Sequence, residues 1–413
     1  MEKPTCPFAI DPAGSDVHGE IERIRKEGPA VRVELPGGVV VWSVTGYADI
    51  KRLLTSPHVS KDAYQHWPAW QEGRIPADWP LAIWVSVQNM VTAYGADHTR
   101  MRAPIAKAFT RHRVEALRPR VEEITARLLD ALAERPAGAA TDLRKELAHP
   151  LPHQVICELF GVPEQLRGRL QTIIKGFFAT DATPEDAVRN GTALYTTMAE
   201  LVALKREEDA DDLTCALIHV RDDEGARLSE KELVDNLILL FTAGYETTVN
   251  LLDHAVHLLL THPAQLALVR SGGASWDDVI DETLRVEAPG IHSILRYAVE
   301  DVPVGDVVIP KGDPIMIAFG AGGRDPLHHG DAAERFDVTR ATRRDHVAFG
   351  HGVHYCLGAP LARLEAAIAL EALFERFPDA ALAQLPGGEP ARQPSFISNG
   401  HLSLPVVLRP ATA

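Results

Sequence analysis

The stretch Phe349-Gly350-His351-Gly352-Val353-His354-Tyr355-Cys356-Leu357-Gly358 decides how the rest of the chain is read. It sets one cysteine in a glycine-rich loop, just ahead of a helix-forming run that begins near Leu361. As a thiolate, Cys356 is a strong ligand for iron. Gly352 and Gly358 let the backbone come close to something flat and large. The spacing is F-x-x-G-x-x-x-C-x-G. Taken alone, the loop also fits a buried structural cysteine on an ordinary turn.

Upstream of the loop lies the longest helical run. Ser229-Glu230-Lys231-Glu232 has the form of a capping box and opens it, and Thr261-His262-Pro263 ends it. At 1.5 Å per residue it spans roughly 50 Å, enough to cross a whole molecule. That length, and the lack of any linker-like stretch, favour one large, mostly helical domain over residues 1–413. Inside the run sits Ala243-Gly244-Tyr245-Glu246-Thr247-Thr248. Glycine costs about 1 kcal/mol in a helix interior relative to alanine, and the two threonines add to that. A helix carries such residues where something presses against it or where it opens locally. A carboxylate beside a hydroxyl can pass protons through ordered water. A core helix with a threonine bonded back to its own backbone is the plainer alternative.

Between that helix and the cysteine, Glu282 and Arg285 stand at i,i+3, where they can pair. His98 and Arg102 lie four apart on one predicted helix face, Arg296 lies in a β-rich stretch, and His354 stands two residues before Cys356. Any one of these reads as a plain surface charge.

Taken together, these motifs resemble the cytochrome P450 family over nearly the whole chain, from about Val31 to Leu408. The Cys356 loop is similar to the family's haem-binding loop, in which the thiolate ligates iron. The resemblance implies a mainly α fold with a small β-rich part, a triangular prism with a long central helix and haem b buried between two helices. It implies that Ala243, Gly244, Phe349, Gly350 and Gly358 line the haem. It implies that His98, Arg102, Arg296 and His354 hold its two propionates, whose burial needs cations. Glu246 and Thr247 would be the catalytic pair that relays protons during dioxygen activation. Glu282 and Arg285 would be structural and support the Cys356 loop, with Arg335 as their third partner. The implied activity is that of a haem-thiolate monooxygenase, which puts one oxygen atom of O₂ into a C–H bond or alkene. Electrons would come from NAD(P)H through a ferredoxin reductase and a ferredoxin, since the chain has no flavin domain. A peroxygenase using the same haem, and a non-catalytic haem sensor or carrier, are the other readings.

One departure is Gly322-Gly323-Arg324-Asp325-Pro326, where many bacterial members carry an Ala-Asn-Arg-Asp-Pro run. Asn89-Met90-Val91-Thr92-Ala93-Tyr94-Gly95 and Asn399-Gly400-His401 resemble one actinobacterial group, which implies a steroid or a macrolide or polyketide as substrate. Val87, Phe178, Leu240, Ala243, Ile291, Ile294 and Phe396 are the candidate substrate contacts. Few of them carry charge, so a large apolar small molecule is expected.

Composition narrows the classes further. The chain is 46% hydrophobic and 24% charged, which is globular. A net charge of −15 argues against nucleic-acid or anionic-membrane partners. Cys6, Cys157, Cys215 and Cys356 form no C-x-x-C pair, as expected of a reducing cytoplasm. The start, Met1 to Phe8, has no apolar leader or anchor, so a soluble protein is expected. Residues 100–120 hold Arg100, Arg102, Lys107, Arg111, Arg113, Arg118 and Arg120 against Glu115, a basic patch suited to an acidic ferredoxin.

Other chemistries lack support. His351, His354 and Cys356 find no fourth zinc ligand nearby in sequence. Gly320-Ala321-Gly322-Gly323 lacks dinucleotide-loop spacing, and no G-x-S-x-G occurs. Elsewhere the pattern predicts a hairpin over Val31–Val44 and a tryptophan-rich lid or pocket wall over 64–90. It further predicts helices at 114–133, 151–159, 166–178, 187–204 and 361–377, a β-rich 297–317, and a closing hairpin over 395–408 that turns at Asn399-Gly400.

Overall fold

The long helix runs over Glu230–Thr261, 32 residues. Ser229 accepts from the Glu232 N–H and the Glu232 carboxylate takes the Ser229 N–H, so the capping box forms. The helix is buried on most faces because others enclose it: Pro150–Leu159, Pro184–Arg206, Trp276–Val286 and Ala359–Arg376. A helix this apolar all round is stable only inside such a jacket. These coordinates are a computed structural model that describes residues 8–410 apart from 77–78, 179, 181, 209, 220–227, 294 and 386, with only the backbone of Ala108, Arg111 and Lys175. Cys6, the acidic run 222–225 and the pocket candidate Ile294 lie outside the described residues.

The remaining predicted helices are found at Pro150–Leu159, Glu164–Phe177, Pro184–Arg206 and Ala359–Arg376. The helix expected over 114–133 is two, Arg111–Ala116 and Arg118–Ala133. Pro119 is the cause: it lacks an N–H and suits the first turn of a new helix better than the middle of an old one.

The predicted hairpin forms from Ala30–Leu35 and Val39–Val44. It joins a six-stranded mixed sheet ordered Phe8–Ala9, Ala30–Leu35, Val39–Val44, Pro314–Ile317, Arg296–Ala298, Val59–Ser60. The closing hairpin does not form as predicted. Pro405–Val407 pairs instead with Ala140–Asp142 and Ala381–Leu382. Residues 391–402 close on themselves through the Arg392–His401 bridge, with the Gln393 N–H on the Gly400 carbonyl at 3.0 Å and the Leu402 N–H on the Ala391 carbonyl at 2.7 Å. Strand periodicity marks a chain as pairable without naming its partner. The tryptophan-rich segment is partly core. Trp67 and Trp79 are buried with Tyr297, Val33 and Phe396, while Trp84 packs its ring 4.6 Å from Phe177 and 5.5 Å from Phe178.

Trp276–Val286 buttresses the loop that carries Cys356. Glu282 and Arg285 are 0% exposed and pair bidentately at 2.7 Å. Arg285 also donates to the carbonyls of Gly323, Ala333 and Arg335, which uses all five of its N–H groups. The third charged partner is Arg340, whose Nε lies 3.2 Å from Glu282, and not Arg335. The Arg335 side chain is 78% exposed and contributes only its carbonyl, because the chain turns it outward there. One residue before Glu282, Asp281 meets Arg363 beyond the loop and His346 before it, and so brackets Cys356 from both sides.

Gly323 is where this clamp is tightest: a Cβ there would lie 1.9 Å from the Arg285 carbonyl oxygen. Overpacking costs about 1–3 kcal/mol, and contact with backbone leaves little room to yield. Gly323→Ala should therefore lower the thermal midpoint at the upper end of that range. Gly168→Ala, on the exposed face of Glu164–Phe177 with nothing within 4 Å, should raise stability by about 0.4–1 kcal/mol. Thermal denaturation of both variants checks the contrast.

Candidate active site

Cys356 sits between the 3₁₀ turn Gly352–His354 and the helix Ala359–Arg376. Its N–H bonds the Phe349 carbonyl at 2.9 Å, which closes the loop. The glycines the turn depends on are Gly350 and Gly352, at φ 72° and 73°. Gly352 also has the Leu54 carbonyl 3.0 Å from where a Cβ would stand. Gly358 has an ordinary helical backbone and is the N-cap of the following helix. Burial raises the Cys356 thiol, and the N–H groups of Gly358 and Ala359 and the Arg102 charge act against it. A thiolate here therefore has the donors it needs at a helix N-terminus. Phe349 is half-buried beneath Arg363, which lies 5.4 Å from the ring centre.

Beside the loop gathers a group of cations. His98 and Arg102 come from Gly95–Ala108, Arg296 opens the strand Arg296–Ala298, and His354 precedes the cysteine. The rings of His98 and His354 are 4.1 Å apart. A fifth member, Lys61, escaped the sequence reading. Val59 pairs with Ala298 and Ser60 with Tyr297, so the register brings Lys61 opposite Arg296. Lys61 is buried, and burial with the Arg296 charge pushes it well below the usual lysine value. Burial lowers Arg296 to about 10, and burial with Arg102 and Lys61 lowers His98 to about 4. His354 is driven down by burial and by Lys61, Arg296, His98 and Arg102 together.

No carboxylate contributes to any of these shifts. His98 Nε2, His354 Nδ1 and Arg296 Nε are buried without a hydrogen-bond partner among the described residues. Buried cations with open donors and no anion are costly unless an anion completes them. Two carboxylates on a buried group are what this cluster fits. The sequence signal for Lys61 was only a lysine following Val59-Ser60, which alone reads as solvated.

The long helix presents the opposite wall. In its otherwise buried middle, Ala243 is exposed and Leu239, Gly244 and Thr247 are half-exposed. Leu239, Ala243 and Thr247 stand four apart and make one stripe. An open stripe inside a jacketed helix marks a space that the described side chains leave unfilled. Gly244 serves the other side, where a Cβ would meet Ile156 at 2.9 Å. Thr247 donates its hydroxyl to the Ala243 carbonyl at 2.7 Å. Glu246 is buried and paired with Arg144 at 2.9 Å, and burial raises its carboxyl above the ordinary value.

The substrate candidates divide. Val87 and Phe178 stay half-exposed, with Phe178 against Trp84. Leu240 is in the main core. Ile291 is 0% exposed among Val17, Ile21, Ala318 and Ala321. Phe396 lies in the core with Trp67 and Trp79. All three are buried, and apolar character alone does not separate a pocket wall from a core. The basic patch is also smaller than its sequence suggests. Arg100 pairs with Glu232, Arg118 with Glu115 at 3.0 Å, and Arg120 with Glu123 and Glu158 at 2.5 Å.

If the cations hold a dianionic cofactor, Lys61→Met should release it faster at neutral pH. Transfer of haem to excess apomyoglobin measures this, with an expected acceleration of about tenfold. Arg118→Met, on a surface pair, should leave the rate unchanged.

A family model described as Cytochrome P450 matches residues 276–384, which include both the Glu282–Arg285 clamp and the Cys356 loop. The 2-hydroxy-5-methyl-1-naphthoate 7-hydroxylase of Streptomyces carzinostaticus is 45% identical over 404 residues, 98% of each chain. The vitamin D(3) 25-hydroxylase of Pseudonocardia autotrophica is 35% identical over 396 residues, 96% of this chain and 94% of that one. CYP154A1 from Streptomyces coelicolor A3(2) superposes with a TM-score of 0.92 at 49% identity, covering 97% of this chain and 100% of its own. Likeness of this extent, over a thiol loop, clamp and long helix built as described, makes the chain a cytochrome P450: a bacterial haem-dependent monooxygenase that uses O₂ and external electrons to hydroxylate apolar molecules.

Proposed function

We propose that this enzyme hydroxylates a large, largely apolar polycyclic or macrocyclic molecule, a steroid or a macrolide or polyketide. Two of its relatives are named for a naphthoate and for vitamin D(3). The half-exposed Val87, Phe178, Trp84 and Leu239 offer an apolar wall with few charges. The observation that carries the site assignment is the set of buried, anion-free cations beside a thiol that receives two backbone N–H groups.

In this reading Cys356 is the iron ligand, and Lys61, His98, Arg102, Arg296 and His354 hold the propionates. Ala243, Gly244, Phe349, Gly350 and Gly358 shape the space for the ring. Bound haem supplies the iron at which dioxygen is activated. Thr247 presents its hydroxyl on the open stripe, and Glu246, one residue back, would hand on a proton, its carboxyl raised above the ordinary value by burial. The partner we propose is a ferredoxin, reduced by a ferredoxin reductase. It would dock on the thiol side, where Val353 and Tyr355 are exposed and Arg102 donates to the Tyr355 carbonyl. The chain would act as one domain in the cytoplasm. The long helix packs on elements from both halves, and Cys157 and Cys215 are buried free thiols, as a reducing compartment allows. Among the described residues, no helix is long and apolar enough to cross a membrane.

Two measurements test this. The reduced, CO-bound enzyme should show a strongly red-shifted Soret band that disappears in Cys356→Ser. A wild type that binds haem without that band removes Cys356 as ligand. Thr247→Ala should keep NAD(P)H consumption but divert it to hydrogen peroxide. Product formed per NAD(P)H should fall by about tenfold or more, within what a positioned proton relay contributes. Unchanged coupling would remove Thr247 from the relay.

A further inference from the structure

A histidine inside a protein is normally held by a hydrogen bond at one ring nitrogen or both. Among the described residues, His292 is the one histidine that leaves both Nδ1 and Nε2 buried and without a partner. The residue is 3% exposed. Polar groups next to it are already used. The Ile291 carbonyl accepts the Gly320 N–H at 3.1 Å, and the Ser293 hydroxyl accepts the Ile317 N–H at 3.0 Å. Burial, with the His18 charge acting the same way, lowers the ring to about 3, so it is a neutral imidazole. Two open nitrogens in such a place are costly. A fold tolerates that cost where a ligand supplies the partner.

The path of the chain shows where a partner would come from. Residues 290–296 are tied down at both ends. At one end Gly290 bridges Ser398, and the Ile291 N–H bonds the Ile397 carbonyl at 2.8 Å. The Ser398 hydroxyl accepts from Asn250 at 2.9 Å, and Asn250 stands three residues beyond Thr247 on the long helix. At the other end Arg296 joins the cations beside Cys356, with Lys61 opposite it. His292 is four residues from Arg296, at most about 14 Å of chain. It therefore lies between the Thr247 stripe and the cations, on the border of the space that the proposed function gives to cofactor and substrate. Its neighbour Ile291 packs in a separate cluster with Val17, Ile21, Ala318 and Ala321, while the His292 ring lies 6.1 Å from Phe396.

We propose that His292 binds the substrate directly, its imidazole meeting a hydroxyl or keto oxygen on the otherwise apolar molecule. This rests on the reading of the enzyme as a hydroxylase of large apolar molecules and deepens it, since the substrate must carry such an oxygen. A neutral imidazole offers one N–H donor and one bare nitrogen acceptor. A hydroxyl can use either, and a ketone the donor. An analogue without the oxygen leaves both nitrogens open, so the site selects against it.

The test is a cycle between one side chain and one ligand oxygen. Binding of testosterone and of its 17-deoxy and 3-deoxy analogues is followed by spin-state shift in the wild-type holoenzyme and in His292→Leu. In the wild type, loss of one of the two oxygens should weaken binding by about tenfold, the upper range for one neutral buried hydrogen bond. In His292→Leu the same loss should change binding by less than about twofold. Equal losses in both proteins overturn the proposal, and so does a wild type indifferent to both oxygens. If testosterone gives no shift at all, the steroid part of the proposed function fails by itself. The cycle is then run with 4-phenylimidazole and 4-(4-hydroxyphenyl)imidazole, which coordinate haem iron directly, and the same coupling decides. Should His292→Leu not hold haem, His292→Phe takes its place. If neither variant holds it, the ring is needed for the fold and the proposal falls.

Discussion

The pair Glu282–Arg285 is the constraint on which the rest depends. Two opposite charges taken fully out of water are tolerable only if every donor and acceptor is met. Arg285 meets that condition by binding Glu282 and three carbonyls from the segment 323–335. Glu282 meets it with Arg340 and the Asp337 N–H, 2.9 Å away. Removing one partner of such a pair typically costs 3–5 kcal/mol. Here it would also release the chain leading into the Cys356 loop. Asp281 extends the same helix's grip to His346 and Arg363, on either side of the thiol. The position of Cys356 is therefore set by charges that never touch it.

What was legible in the sequence follows from how local each signal is. The capping box at Ser229, the proline stop at Pro263 and the glycine-rich turn before Cys356 are decided within a few residues, and each is found where expected. Long-range pairing is another matter. Arg335 and Arg340 are equally basic and five residues apart, and only the path of the chain turns one outward and the other onto Glu282. Pro405–Val407 has the right alternation for a hairpin, yet Ala140–Asp142 is its partner from across the chain. Ile291 and Phe396 could not be sorted between pocket and core for a related reason: apolar character marks burial, not what a side chain is buried against. Lys61 failed in the opposite direction. A charged residue reads as solvated until a strand register sets it beside Arg296.

The unpaired cations and the buried acids are two halves of one electrostatic arrangement. Around Cys356 the fold concentrates positive charge with no internal anion, so this region is complete only with a ligand that brings negative charge. Along the long helix it does the reverse, sealing two acids against one arginine. Both are local conflicts that a purely structural core would avoid. In foldable sequences such conflicts concentrate where function is.

That arrangement also accounts for the odd composition of the long helix. Gly244 admits Ile156, so the helix Pro150–Leu159 can pack closely. The chain leading into that helix carries Arg144, which reaches Glu246. Thr247, on the adjoining stripe, bonds its hydroxyl to the Ala243 carbonyl and so stays on the helix surface without a charged neighbour of its own. Acid and alcohol are adjacent in sequence but face different surroundings. One faces a guanidinium; the other stands on the half-exposed stripe of the helix. For Glu246 to hand a proton to Thr247 it must first hold one, and there burial and the Arg144 charge act in opposite directions.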